Sequence, residues 1–526
     1  GGAAKVTGAL VGSFDYAHSG GTAEGYSMYR WLQAEEEDGA YAPIPRGWGQ
    51  TFTLTQAQEG KYVKLEVTPV DAAGVAGEPV LGADAVGPVA AATANDRLGL
   101  RLGEASRELS AAPIGDGYAQ YPLTAWNSLD EAISVAESVY TANTATQGDI
   151  DLLNAAIAAF DGSRNKKDAG FDRFVTTSGT KLMDGSDELR FISFNYPGGL
   201  YNEDEGPYGI MPTEFEMEDA LRTAVQTGGQ VLRTYTLTVR DKADPPHVLR
   251  HIDGPGVLND EAFKSMDKLL ELANKHGVRL IIPFIDNWDW PPGGITDFAH
   301  FRGKGRFDFY TDPQLIEDFK LVIEQVMNRV NTYTGVRYKD DPAILAWETG
   351  NELMVAPEWM SEIAAFYKSV NPNQLLVSGN QMELPHFYRN LSPQALADPN
   401  IDIVKSHYYD GNYANRVRTD KALAEAHGKP FFVGEFGFKP TSEVVSMLNE
   451  TIAGGASGAL IWSLRPHSAQ GGFVRHSEYE VGGILYRAYH WPGMPSGDYQ
   501  DATNLLRVVR DKAYEIQGKP VPPLPS

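Results

Sequence analysis

From about residue 168 to the end of the chain, short apolar runs alternate with longer stretches whose apolar residues recur every three or four positions. The short runs are Leu189–Phe194, Gln230–Thr236, Arg279–Phe284, Ala343–Trp347, Leu375–Ser378, Val404–His407, Pro430–Gly434 and Gly458–Trp462, and each predicts a strand. Glu214–Gln226, Glu261–Lys275, Pro313–Val330, Pro357–Val370, Thr419–His427, Thr441–Ala453 and Asn504–Gln517 predict helices in the intervals. Eight such βα units over roughly 350 residues predict a (β/α)8 TIM barrel spanning 167–526. An open doubly wound sheet is the competing arrangement, but no glycine-rich phosphate fingerprint follows the first strand.

The first part of the chain has a different texture. Residues 1–93 are rich in Gly, Thr, Val and Tyr, and runs such as Tyr29–Gln33 and Tyr62–Val67 predict the strands of a small β-sandwich. Residues 94–166 switch to helical period at Ala94–Leu109, Leu129–Tyr140 and Gln147–Phe160, with Tyr118–Trp126 between the first two, which predicts a small helical bundle. Ser163–Lys167 reads as the linker into the barrel. The segments Tyr26–Gln33, Tyr41–Ile44 and Gly60–Val70 resemble immunoglobulin-like repeats of bacterial secreted and cell-wall proteins. The helical stretch is similar to the FIVAR modules that lie between domains of extracellular bacterial glycosidases; a plain helical spacer is the other reading.

Composition is that of a globular protein, with 42% hydrophobic and 22% charged residues in 526. The net charge of −24 repels phosphate backbones, so nucleic acid is not an expected partner. No apolar stretch is long enough for a membrane span. The absence of cysteine excludes disulfides, thiolate metal sites and cysteine nucleophiles. The histidines show no metal-ligand spacing, and no H-E-x-x-H, P-loop or G-x-S-x-G motif is present. The chain opens at Gly1 with no Met and no apolar leader, the pattern of a trimmed mature protein.

Two strand ends carry the chemistry. Ala343–Glu352 reads A-I-L-A-W-E-T-G-N-E and Phe431–Phe438 reads F-F-V-G-E-F-G-F. Carboxylates at the ends of buried strands are costly unless paired or used. On strands four and seven, Glu352 and Glu435 face each other across a barrel mouth, and two carboxylates about 5–5.5 Å apart suit retaining hydrolysis of a glycosidic bond. Glu348, earlier in the same motif, reads as structural or supporting. Arg233 on strand two can keep a carboxylate ionised, and His407 and Tyr409 after strand six can orient the pair. Asn351 is placed to bond a sugar 2-hydroxyl, while Trp288, Trp290, Trp359 and Trp462 offer faces for sugar stacking. Asp286 and Asn287 end strand three, where loop capping is an equal reading.

Taken together, Trp347–Leu353, Gly434–Gly437, Arg233, His407-Tyr408-Tyr409 and Trp462 resemble glycoside hydrolase family 5. That resemblance implies Glu352 as acid/base and Glu435 as nucleophile, with retention of configuration and with no metal and no cofactor. The chain departs from the family's common N-E-P ending, having Asn351-Glu352-Leu353, which resembles the mannanase-like branch. It also departs in the long aromatic loop Asp286–Tyr310, which can wall off one end of a cleft or reshape its subsites. The expected substrate is a β-linked polysaccharide, β-mannan first and β-glucan second. The resemblances imply a secreted protein whose N-terminal modules can contact cell wall or carbohydrate. A transglycosylase of the same family, or a non-catalytic carbohydrate-binding barrel, are the alternatives.

Overall fold

The computed structural model describes residues 4–523 except 25–26, 49, 72–74, 76, 112–113, 116–120, 164–169, 204–207, 291, 384–390, 410–411, 470–472, 475–477, 481–482, 486–488 and 492–501. The chain forms two compact units, one of Gly1–Lys167, Ala299–Gly305 and Pro313–Asp318, the other of Asp168–Phe298, Arg306–Asp312 and Phe319–Ser526. The expected boundary at 166/167, residues 164–167 of the expected linker, Tyr26, and residues 118–120 lie outside the described residues.

In the first unit, Met28–Ala34 pairs antiparallel with Ala42–Trp48 on one side and Tyr62–Thr68 on the other, and Ala9–Val11 pairs with Thr51–Thr53. Trp31, Ile44, Leu54 and Val63 form their common apolar core. Three helices follow at Ala94–Ala111, Leu123–Thr141 and Gln147–Ser163, packed through Leu98, Leu129, Ile133, Leu153 and Phe160. The second starts earlier than the periodicity predicts, because Pro122 stands at its N-cap, where a missing N–H costs nothing.

The second unit is a barrel of eight parallel strands. In chain order they are β1 (Phe191–Tyr196), β2 (Val231–Thr234), β3 (Arg279–Pro283), β4 (Ile344–Glu348), β5 (Leu375–Val377), β6 (Val404–Tyr408), β7 (Phe431–Phe436) and β8 (Gly458–Ile461). Helices follow each: α1 (Glu214–Gln226), α2 (Asp260–His276), α3 (Pro313–Asn328), α4 (Pro357–Val370), α5 (Pro393–Ala397), α6 (Tyr413–Ala426), α7 (Thr441–Ala453) and α8 (Ala502–Ile516). Hydrogen bonding runs β5-β4-β3-β2-β1-β8-β7-β6, and a single parallel bridge from Val377 to Ile403 joins the ends of the ring. All eight strands fall where the apolar runs predict them.

Local chemistry sets the helix starts. Thr213 and Glu216 form a reciprocal capping box on α1, and Asn259 caps α2, which stops at Gly277 in the left-handed region (φ 68°). At the N-terminal end of the barrel, Leu182 and Leu189 join Phe191, Val231, Ile281 and Phe432 in one buried cluster. That apolar floor leaves the C-terminal strand ends as the place for polar groups. Among the described residues, no helix is long and apolar enough to cross a membrane.

Candidate active site

Just above the floor, the barrel interior turns polar. Parallel pairing sets Asn195 of β1 beside Arg233 of β2, and the Arg233 guanidinium donates to Asn195 Oδ1 at 3.0 Å. Its Nε donates to Glu348 Oε2 at 2.6 Å, Nη1 to Glu435 Oε1 at 2.8 Å, and Nη2 to Asn351 Oδ1 at 2.8 Å. The side chain is wholly buried, and each of its nitrogens has a carboxylate or amide oxygen. Burial works against its charge, but Glu348 and Glu435 outweigh it and raise Arg233 above its ordinary value. Stranding those carboxylates by truncating Arg233 would cost about 3–5 kcal/mol.

The two sequence-predicted glutamates lie together. One oxygen of Glu352, one of Glu435 and a His407 ring nitrogen all fall within 4.8 Å of one another. His407 Nδ1 is 2.7 Å from Glu352 Oε1 and 3.3 Å from Glu435 Oε2. Trp288 Nε1 donates to Glu352 Oε2 at 2.6 Å, and the Tyr409 hydroxyl donates to Glu435 Oε2 at 2.6 Å. These three groups bring close enough donor atoms to bracket a cation. The same carboxylates also accept from Arg233, Trp288 and Tyr409.

Burial pushes Glu435 up, partly against the Arg233 charge, and the nearby Glu352 charge brings it to about 8. Burial also acts to raise Glu352, but the His407 and Trp288 N–H groups override it and hold it down to about 2. The two environments push the carboxyls apart, so that the pair holds one proton near neutral pH. Titration belongs to the pair rather than to either residue. Burial, reinforced by the Lys405 charge, holds His407 down to about 3, so its ring is neutral near pH 7.

The backbone supports this geometry. Glu352 has φ 51°, in the left-handed region that L side chains rarely adopt. The turn before it is tied to the extension of β3, with Asn351 N–H donating to Ile285 O at 2.7 Å and Asn287 N–H to Asn351 O at 3.0 Å. Gly350 is needed there, since a Cβ would stand 2.6 Å from Ile285 O. Phe438 (φ 62°) stacks on Tyr409 with ring centroids 5.2 Å apart.

Other expected residues divide. Trp462 is buried edge-on to Tyr235 at 5.7 Å, and Tyr235 donates to Asp286 Oδ2 at 2.6 Å. Burial lifts Asp286 to about 7. Asn351 Nδ2 donates to Asp286 Oδ1 at 3.0 Å and to the Tyr235 hydroxyl at 3.4 Å, so the amide expected to meet a sugar hydroxyl is engaged as a strut. Trp290 is half exposed on the β3 loop, where Asp289 pairs with Arg306 at 3.2 Å. Asn287 is fully buried, and its side-chain amide has no hydrogen-bond partner among the described residues.

Trp359 is a correction. It lies on α4 with 1% of its surface exposed, packed against Phe309, Tyr310 and Phe319, so it is a core residue rather than a sugar platform. The buried positions of α4, Trp359, Met360, Ile363, Ala364, Phe366 and Tyr367, follow a helical face that the sequence already displays. Lys405 was missed. It shares an inward strand face with His407, two residues on, and that alternation was the available signal.

Residues 172–452 match the glycoside hydrolase family 5 β-mannosidase-like domain, and residues 2–83 match the immunoglobulin-type AIR9 A9 domain. A putative mannan endo-1,4-β-mannosidase 5 of Oryza sativa subsp. japonica is 33% identical over 278 residues, 40% of this chain and 56% of that protein. A putative mannan endo-1,4-β-mannosidase P of Arabidopsis thaliana is 28% identical over 316 residues, covering 48% and 74% respectively. The chain thus spans little more than half the length of the rice relative. The crystal structure of a glycoside hydrolase family 5 mannosidase from Rhizomucor miehei shares the fold, with a TM-score of 0.53 at 18% identity, covering 66% of this chain and 98% of that one.

Proposed function

Since the chain belongs to the β-mannosidase-like members of glycoside hydrolase family 5, we propose that it hydrolyses β-mannosidic bonds of a polysaccharide or its oligosaccharides with retention of configuration. The observation that carries the reading is the placement of Glu352 and Glu435, on neighbouring sides of one imidazole nitrogen, with carboxylate oxygens within 4.8 Å. Oxygens that close fit the spacing of about 5–5.5 Å for direct attack on the sugar better than the about 6.5–9.5 Å that leaves room for an inverting enzyme's water.

In the first step, a Glu435 oxygen bonds to the anomeric carbon. The glycosidic bond breaks toward its oxygen, which takes the Glu352 proton. In the second step, Glu352 takes a proton from water as that water displaces Glu435. Arg233 and Tyr409 stabilise the carboxylate form of Glu435 as it leaves. Substrate binding has to favour the proton on Glu352 over Glu435, because only that arrangement pairs an acid with the leaving oxygen and a base with the carbon. The aromatic β3 loop, with Trp288 beside the acid and Trp290 half exposed, supports transglycosylation as a second reading, decided by the products formed with an added sugar acceptor.

A screen of the purified protein on mannan, cellulose, xyloglucan, xylan and β-1,3-glucan tests the substrate. Release of reducing sugar from mannan foremost is expected, with the first-formed anomer retained by NMR. Preference for another glycan overturns the substrate, and inversion overturns the double displacement. The pH profile follows from the raised carboxyl. A pair that keeps its proton up to about pH 8 has an acid below that value and none above it. Hydrolysis should therefore fall on the alkaline side of about pH 8, close to tenfold per pH unit. A flat profile to pH 10 would contradict this. We further propose that the three-helix segment is a FIVAR-like module and that the protein acts outside the cell, its immunoglobulin-like module contacting cell wall or glycan. What supports this is the resemblance of the helical stretch to modules of extracellular glycosidases and of the immunoglobulin-like segments to repeats of secreted and cell-wall proteins.

A further inference from the structure

Lys405 sits at the centre of the site without touching either glutamate in the catalytic pair. It projects from β6, wholly buried, with Nζ 2.8 Å from His407 Nε2 and 3.2 Å from Glu348 Oε1. Arg233 occupies the other Glu348 oxygen, so Glu348 serves both cations. Burial lowers Lys405 from its ordinary value, and the Glu348 carboxylate at 3.2 Å opposes that loss and favours the ammonium, which only donates, so that Nε2 accepts. A neutral imidazole that accepts at Nε2 carries its hydrogen on Nδ1. That hydrogen faces Glu352 Oε1 at 2.7 Å and Glu435 Oε2 at 3.3 Å.

The neighbouring strand is shaped to hold this pair. A Cβ at Gly434 would come within 2.8 Å of Lys405 Cδ and 3.0 Å of the His407 ring. The β6–β7 register slips at the same place, between Ser406 and His407, which lets His407 lie opposite Glu435. The charged groups around the pair are Arg233 from β2, Glu348 and Glu352 from β4 and the turn after it, and Glu435 from β7.

We propose that Lys405 is a positioning residue for the acid/base step, locking His407 as the neutral Nδ1–H imidazole so that the ring donates to the carboxylate pair and cannot take the proton Glu352 must deliver. The inference rests on the retaining-hydrolase reading. An imidazole free to present an Nδ1 lone pair would be a competing base 2.7 Å from the acid. Protonating Nε2 would set a second positive charge against the ammonium at 2.8 Å. With Lys405 in place, the Glu352 proton has one destination, the glycosidic oxygen, whose electron pair forms the new O–H bond as the C–O bond breaks. The Nδ1 hydrogen of His407 stays where it is throughout.

Histidine-selective ¹⁵N labelling of the whole chain, with long-range ¹H–¹⁵N correlation, reads the tautomer directly. The signal lost in His407→Gln assigns the ring. Native protein should show protonated Nδ1 and unprotonated Nε2 from pH 5 to 8, and Lys405→Arg should preserve that pattern. Lys405→Met should move the proton to Nε2 or let His407 titrate in the ordinary histidine range. In kinetics, Lys405→Met should lower kcat on mannan oligosaccharides by roughly 10–100-fold with KM within about threefold. Formation of the glycosyl-enzyme from a dinitrophenyl mannoside, which needs no acid, should change less than about threefold. An Nε2–H or imidazolium state in native protein overturns the proposal, as does an unchanged tautomer in Lys405→Met or equal slowing of both substrates. The native spectrum decides the point even if the methionine variant fails to fold. It also needs no turnover, so a wrong tautomer and a protein inactive on every glycan are distinguishable results: the first overturns the role of Lys405 alone, the second the hydrolase reading on which that role rests.

Discussion

Glu435→Ala is expected to lower kcat/KM on mannan oligosaccharides by at least about 10⁴-fold while the protein stays folded. The loss is large because the variant has no carboxylate at this position to form the glycosyl-enzyme bond. Glu435 alone combines a β7 position with both a guanidinium and a phenol donor. The fold tolerates the change because Arg233 keeps Glu348, Asn195 and Asn351, so no buried charge is left without a partner. Added azide supplies a small anion for the vacated space. It should attack the anomeric carbon from the same face and give the α-glycosyl azide, with inverted stereochemistry, visible by NMR. A variant within tenfold of native activity, or a β-azide product, would refute the assignment.

The second large effect distinguishes the two carboxylates. Glu352→Ala should slow oligosaccharide hydrolysis by about 10²–10⁴-fold, because a sugar alkoxide leaves poorly without a proton. A dinitrophenolate needs none, so the same variant should form the glycosyl-enzyme from a dinitrophenyl mannoside at close to the native rate. It should then stall, lacking the base that activates water. Stopped-flow absorbance should show one equivalent of phenolate released in a burst, followed by slow turnover. Equal slowing of both substrates, with no burst, would count against Glu352 as the acid. The hydrogen bonds at Glu352 sharpen the contrast. His407 and Trp288 stabilise its charged form, so they hasten proton delivery and oppose proton recovery.

Much of this was legible in the sequence, for identifiable reasons. The barrel strands are buried on both faces, so they appear as unbroken apolar runs that turns separate clearly. Helices α1, α4 and α7 match their predicted limits because a Thr-x-x-Glu box or a proline marks each start. Helix α6 begins six residues before the predicted Thr419, at Tyr413 after the Asn412 cap, because its polar face obscures the period. The two glutamates were readable because an ionisable group closing an apolar strand needs a reason. Lys405 was harder to see. It lies mid-strand in V-K-S-H-Y, where a lysine resembles an outward solvent-facing residue, and only the barrel reveals Glu348 and His407 on either side. Trp359 misled for the opposite reason: tryptophan suggests sugar, although its place on the apolar face of α4 already pointed to the core.

The left-handed backbone at Glu352 has a consequence for what can replace it. Holding a side-chain-bearing residue there costs roughly 1–3 kcal/mol, which the rest of the barrel must offset. Glycine would relax the turn, and a single base change converts a glutamate codon into a glycine codon. Against that relief stands the loss of the carboxylate to which Trp288 and His407 donate, so backbone strain and hydrogen bonding pull in opposite directions at this one residue.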